Sequence, residues 1–559
     1  MDAYQRLVDD LPPRRPEGRT RRVSEKVVRA AVAGVPLANP AQALPELERL
    51  LDGMLAGTWS GGERIAALAH LQRPVTSLAQ GIERQLGIEA HPLPAASAER
   101  AATAQRLEWK LACNYAAGVH ELCAPAGKPP MFKGKLAASA IVAGLQHAGR
   151  ALVWAYRQYQ SPPSGVWRQI HALYLFAVEA GLASQASGGA AGSDGVVSAR
   201  AAYAQALLLA MSNPYGFSMR ELRQAEAVIA CVADQCMLVR GGAGDASVAT
   251  GADAGPGYLP EDREQEGADL LMIDVQPAAR VFDERMAAAP DAGGHVDLPR
   301  PGGGAVTVDT TFLRRLRDSW LNPARGHRRL PATHALDLVV GMHALHYALA
   351  GDLDFATFIR QVHGEAITVG QHELTSAWLA SSDSARPPVL RGEVLDQGEG
   401  GYRLRLQADD GARLRIGEVV GLAPVADAAD ERGWMVGVIR WLRSEAERVV
   451  LGVELLHHTA RAAGVRPVTT TGEMLVPQRA VELPGLAGDA ALALLVSHPL
   501  ARNLTHVEVV LPALASDWRA GAVAGIWHCV DTRTLAAACV RVTLVRDGSS
   551  GADVAEGSA

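Results

Sequence analysis

Six cysteines are few for 559 residues, and no two of them stand as a CxxC pair: Cys113, Cys123, Cys231, Cys236, Cys529 and Cys539 are far apart or loosely spaced. That excludes a disulfide scaffold and predicts reduced thiols in a cytoplasmic protein. No run of about eighteen apolar residues occurs, so no membrane span is expected. The opening stretch, MDAYQRLVDDLPPRRPEGRTRR, has arginines but no apolar core and does not read as a secretory signal. Positive charge is not in excess either. With 54 basic against 60 acidic residues the net charge is −6, so no global field draws nucleic acid or an anionic membrane, and any anion site must be local.

Catalytic signatures are missing as well. There is no GxSxG, and FKGKLAAS lacks the spacing of a phosphate-binding loop. The glycine-rich stretches are not framed by a strand and a helix, and no paired carboxylates stand out. His343 and His346, with His334 upstream, lack a third ligand and an acid partner at a recognised spacing, so no metal site is expected. Aromatics make up only 5 % of the chain, and no aromatic ladder, RNA-binding signature or zinc finger accompanies the arginines. The expectation is a non-enzymatic protein with no cofactor and no nucleic-acid partner.

What is present is a long, ordinary globular chain, 48 % apolar and 20 % charged, enough for two to four domains. Residues 1–39 read as a flexible arm broken by Pro12, Pro13 and Pro16. From Pro40 the pattern turns helical: Leu44, Leu47, Leu50, Leu51 and Met54 recur at steps of three and four and form one stripe. Further helical patterns follow to about residue 240, with Pro74 expected to end or kink one of them. In NPYGFSMREL a turn at Asn213–Gly216 leads to a capping box, Ser218 with Glu221, so the region reads as stacked helical hairpins. Residues 241–305 are rich in Gly, Ala, Ser and Asp and read as flexible loops, with one short strand and helix at DLLMIDVQPAARVF. Residues 306–375 read as helical again, packing on the helical domain.

The texture changes near Pro387. VLRGEVLD, GYRLRLQ, RLRIGEVVGLAP, WMVGVIRWLRS and RVVLGVELL are short alternating runs at close, even spacing, the pattern of a small antiparallel barrel over residues 385–465. A β-rich extension or second β module follows over 466–546, and a disordered tail over 547–559. The fold class expected is therefore α+β multidomain, a mostly helical N-terminal region followed by a C-terminal β-barrel.

The order of the barrel's pieces is a strand ending in an acid, a glycine corner, then IGEVVGL, VIRW and GVEL. This resembles the PilZ family, whose barrel binds cyclic di-GMP in many bacterial proteins. Asp396, Gly398 and Gly401 in DQGEGG occupy the family's Asp/Asn-x-Ser-x-x-Gly motif, with glycine in place of serine. The family's other motif, an RxxxR arginine pair, is expected roughly two dozen residues upstream, where EAITVGQHELTSAWLASSDSA contains neither Arg nor Lys. The resemblance implies a cyclic di-GMP receptor or effector in which Asp396, Gly398 and Gly401 approach the ligand. Arg386, Arg391 and Arg440 are the candidate phosphate or guanine contacts, and a second candidate is the cluster Arg314, Arg315, Arg317, Arg325, Arg328 and Arg329. The helical region is expected to bind a protein partner. The alternative is a ligand-free scaffold or chaperone-like adaptor whose barrel has lost the nucleotide.

Overall fold

The computed structural model describes residues 3–11, 24–86, 90–188, 196–241, 244–258, 269–288, 294–321, 329–363, 386–408, 413–425, 433–445, 447–469, 474–486, 491–501, 504–511, 526–535 and 539–546. They form two units, residues 1–89 with 93–325, and residues 90–92 with 326–559. The disordered tail expected at 547–559 lies outside the described residues.

The first unit is built on helices α1 (Ala3–Asp9), α2 (Glu25–Ala33), α3 (Pro40–Ala56), α4 (Gly61–Leu86), α5 (Ala95–Cys123), α6 (Gly134–Arg157), α7 (Val166–Glu179), α8 (Ala199–Met211) and α9 (Met219–Val232). The stripe read from α3 is its buried face: Leu44, Leu47, Leu51 and Met54 are nearly inaccessible. Arg64 on α4 is fully buried and ties three helices together. It forks onto Glu121 of α5 at 2.9 and 2.8 Å and donates to Asn114 and to the Met54 carbonyl of α3, both at 2.8 Å. A guanidinium so placed is tolerated because its donors find acceptors. The Ser218–Glu221 capping box opens α9 as expected. Helix α6 is long and apolar enough to cross a membrane by composition, but 72 % of that window is buried in the unit, as befits a core helix.

Several expectations need correcting. Helices α1 and α2 occupy the segment read as an arm; Leu7 and Val28 give each a buried anchor that the scattered prolines obscured. Pro74 does not end α4, which runs through it with Leu71, Val75 and Leu78 buried on either side. After the two-residue strands β1 (Ser187–Gly188) and β2 (Val196–Val197), the glycine-rich stretch is also more ordered than its composition suggests. An antiparallel sheet joins β3 (Met237–Arg240), β4 (Ala246–Ala249), β5 (Gly257–Tyr258) and β6 (Leu270–Asp274). Helix α10 (Gln276–Ala288) follows, then the hairpin β7 (His295–Pro299) and β8 (Ala305–Asp309), then α11 (Thr310–Leu321). Alternate burial of Val296, Leu298, Val306 and Val308 pins that hairpin to the core, which is what a composition count cannot see.

The second unit begins with β9 (Leu330–Pro331), β10 (Ala335–Val340), α12 (Met342–Leu349) and α13 (Phe355–His363). Of the segment 306–375 expected to be helical and to join the helical domain, α11 lies in the first unit, while the later part belongs to the second unit and supplies two strands besides its two helices. ALDLVV was read as helix because a strand buried on both faces shows no alternation. Strands β11 (Leu390–Gly398), β12 (Gly401–Gln407), β13 (Val419–Pro424), β14 (Met435–Glu445) and β15 (Arg448–His457) complete the sheet β10-β13-β14-β15-β12-β11. β10 also pairs with β11, which closes the ring, and β9 hangs on β11. β16 (Arg461–Val468), β17 (Gln478–Glu482), β18 (Ala491–Ser497), β19 (His506–Val510), β20 (Ile526–Thr534) and β21 (Cys539–Arg546) form a second closed barrel. Helix α12 lies against strands of both: Ala344 and Leu345 share one apolar cluster with Val339 and Val436 of the first barrel and Val481 and Leu495 of the second.

Candidate ligand site on the first barrel

The corner at Asp396 owes its shape to two local irregularities. Register shifts by one residue between Val394 and Asp396, so Leu395 is an extra residue in β11. Without the bulge Asp396 would share the inward face of Val394; with it, the carboxylate joins Arg391 and Glu393 on the outer face. Two residues, Glu399 and Gly400, then turn the chain, and Gly401 enters β12 with φ +142°. A Cβ there would lie 1.9 Å from the Val453 carbonyl oxygen, so only glycine fits.

From this corner a row of register partners runs across the outer face: Asp396 of β11, Arg403 of β12, Gly452 of β15 and Trp441 of β14. A Cβ on Gly452 would sit 2.0 Å from Trp441 Nε1, which means the indole lies flat on the bare backbone. β9 adds the last element. Leu330 and Pro331 pair with Gln397 and Asp396, and this pairing brings the preceding Arg329 to the corner. Its Nη1 donates to Asp396 Oδ1 at 2.7 Å, while Arg403 Nη1 donates to Oδ2 at 3.4 Å. Asp396 is only 17 % exposed, whereas Arg329 and Arg403 are 49 and 43 % exposed. Two forked cations are thus half open to solvent around one sheltered carboxylate. Such guanidiniums can grip phosphate oxygens, the carboxylate can accept from a base N–H, and an indole plate can stack a purine.

The other sequence candidates fall elsewhere. Arg386 pairs with Asp352 at 2.8 Å, and Arg391 with the buried Asp337 of β10 at 3.1 Å. Arg440 sits in a bulge of β14, bonded to Glu454 and to the Leu535 carbonyl. On α11 of the first unit, Arg315 is spoken for by Glu221 and stacks over Phe217, Arg317 pairs with Asp283 and Asp318, and Arg314 is exposed. Arg325 and Arg328 lie outside the described residues. Among the described members of the cluster, Arg329 is the one placed on Asp396. The signal was in plain view: Arg325-Gly-His-Arg-Arg329 is itself an RxxxR. It escaped a distance-based reading because Arg329 is 67 residues ahead of Asp396, with β10, α12 and α13 interposed.

A closed antiparallel barrel whose Asp-x-x-x-x-Gly corner meets the second arginine of an upstream RxxxR resembles a PilZ module. Comparison with known families agrees. Residues 26–242 match the family described as "Cyclic-di-GMP receptor FimW, N-terminal domain", and residues 247–388 and 371–462 match "Cyclic-di-GMP receptor FimW, middle PilZ domain". The chain is a PilZ-family member with a helical N-terminal region. A characterised relative is the cyclic-di-GMP receptor FimW of Pseudomonas aeruginosa, 24 % identical over 402 residues, which cover 62 % of this chain and 63 % of the relative. This chain therefore spans somewhat under two thirds of that relative's length.

Proposed function

We propose that this protein is a non-enzymatic, cytoplasmic receptor for cyclic di-GMP that takes the dinucleotide at the Asp396 corner and passes the signal to a protein partner through its helical unit. The observation that carries the reading is the Arg329–Asp396 contact, which supplies the half of the clamp that the sequence had seemed to lack. Arg329 and Arg403 hold the phosphates, with Arg325 added on its RxxxR spacing in the sequence alone; Trp441 offers a stacking face, and Asp396 accepts from guanine. For the partner, the helical unit offers a cleft of about 560 Å3 whose charged lining is of both signs, Arg84, Arg150, Arg157 and Arg223 beside Glu83, Glu108 and Glu226, suited to a polar segment that carries both charges.

The second reading is a ligand-free scaffold, favoured by the glycine at position 398, where the family motif has a serine hydroxyl. Calorimetric titration of the whole protein with cyclic di-GMP separates the two. The receptor gives a saturable heat that disappears in Arg325→Ala/Arg329→Ala; the scaffold gives none at high micromolar ligand.

A further inference from the structure

The turn between α5 and α6 reads Lys128-Pro-Pro-Met-Phe-Lys133-Gly-Lys135. Only five of the chain's 54 basic residues are lysine, namely Lys26, Lys110, Lys128, Lys133 and Lys135, and three of the five are here. Everywhere else the chain meets its need for positive charge almost wholly with arginine. All three lysines of the turn are exposed, and no Asp or Glu occurs in the sequence between Glu121 and Glu179.

At the apex the two apolar residues point the wrong way for a core. Met131 is 80 % exposed and Phe132 95 %, the extremes among the exposed apolar residues of the described chain. The backbone enforces this. Lys133 N–H donates to the Pro130 carbonyl at 3.0 Å, closing a turn whose third residue, Phe132, has φ +63°. That position ordinarily belongs to glycine, since an aromatic Cβ crowds the left-handed region. Pro129 and Pro130 stiffen the approach, and at the base Gly127 N–H donates to the Cys123 carbonyl while Gly127 packs on the Tyr4 ring. The tip is a rigid, convex knob, not a slack loop.

We propose that this tip is a docking point for an anionic lipid surface: Phe132 and Met131 enter the headgroup boundary while Lys128, Lys133 and Lys135 contact lipid phosphates. The inference does not depend on nucleotide binding. Lipid fits the knob better than a protein groove does. Cations ringing an exposed apolar apex match a negatively charged interface, and flexible lysine stems lie along the acyl boundary with their ammonium groups in the headgroups. The weak overall negative charge of the chain makes such attachment local and reversible.

The test is co-sedimentation of the full chain with vesicles of phosphatidylcholine alone or mixed with phosphatidylglycerol. Binding to the mixed vesicles, weakened by salt, is the expected result. Replacing the three lysines by glutamine should lower it on the order of a hundredfold, at the usual contribution of each cation near an anionic surface. Met131→Ser/Phe132→Ser should lower it by about tenfold or more, with the melting temperature unchanged because both side chains are already in solvent. Phe132→Trp should shift its emission to the blue when the mixed vesicles are added. No binding, or binding indifferent to all these substitutions, overturns the proposal. So does tip-dependent self-association in sedimentation velocity without vesicle binding, which would give the knob to a second copy of the chain.

Discussion

Arg329 Nη1 lies 2.7 Å from Asp396 Oδ1, a contact that joins two points of the chain 67 residues apart at the open rim of a barrel. With Arg329 half exposed, the ion pair itself contributes no more than about 1 kcal/mol to stability. Its importance is positional. Arg329→Lys keeps the charge but loses the fork, and should weaken cyclic di-GMP binding about tenfold while leaving the melting temperature nearly unchanged. Arg391→Ala and Arg440→Ala, whose guanidiniums are bonded elsewhere, should alter the affinity by less than about threefold. Calorimetry on the three variants decides between this corner and a site elsewhere on the barrel.

Gly452 leaves the space on which the Trp441 indole rests. Gly452→Ala should lift the ring off the sheet. If the indole is the stacking plate, ligand affinity falls and the Trp441 contribution to emission, obtained by difference from Trp441→Phe, moves to the red. An unchanged spectrum and affinity would remove Trp441 from the site.

Gly401 admits no side chain, because its φ is +142° and the Val453 carbonyl oxygen stands 1.9 Å from where Cβ would be. Gly401→Ala should destabilise the second unit by about 2–4 kcal/mol, a range typical of forced backbone strain in a packed sheet. Denaturant unfolding followed by far-ultraviolet circular dichroism measures it. A shift under half of that would mean the corner relaxes easily.

His346 on α12 is buried, donates from Nε2 to the Ala463 carbonyl at 3.1 Å and is flanked edge-on by Phe355 and Phe358. Burial first, then the positive Arg479, push its pKa from 6.5 down to about 3. The folded state therefore holds the neutral ring, while the unfolded chain takes up a proton below about pH 6.5. Stability is complete above that pH and is lost as pH falls toward about 3, at up to about 1.4 kcal/mol per pH unit from this group. His91 and His171, each lowered to about 4 by burial, add to the same acid loss. His346→Leu should flatten the stability–pH curve between pH 6 and 4 relative to the parent. Parallel curves would show that His346 is not the source.

The helices were the most legible part of the sequence, since Leu44, Leu47, Leu51 and Met54 announce a 3.6-residue period that burial then honours. The five strands of the first barrel were legible for the matching reason, a period of two. β10 was not, because Leu336, Leu338 and Val339 are all buried and periodicity cannot separate such a run from a helix. β7 and β8 hid behind glycine and aspartate. At the site, Asp396, Gly398 and Gly401 could be read from spacing alone, but Arg329 needed topology: β9 pairs with β11 only after the chain has made a strand and two helices in between. Arg386 and Arg391 were candidates through nearness in sequence and Arg440 through its place in the VIRW strand, and neither is a guide to which acid a guanidinium on a barrel will meet. The Gly452–Trp441 pair carries no motif and emerges only from register.

The ring of the first barrel is closed by β10, which sits between β11 and β13 although it precedes both in the chain. On a ribosome, that strand leaves the exit tunnel before either neighbour exists. At ordinary elongation rates the stretch from Val340 to Pro424 takes roughly 4–17 seconds to be made. For that interval Leu336, Leu338 and Val339, all sheltered in the finished protein, are unshielded β edge. Nascent chains stalled before β13 should accordingly recruit holding chaperones.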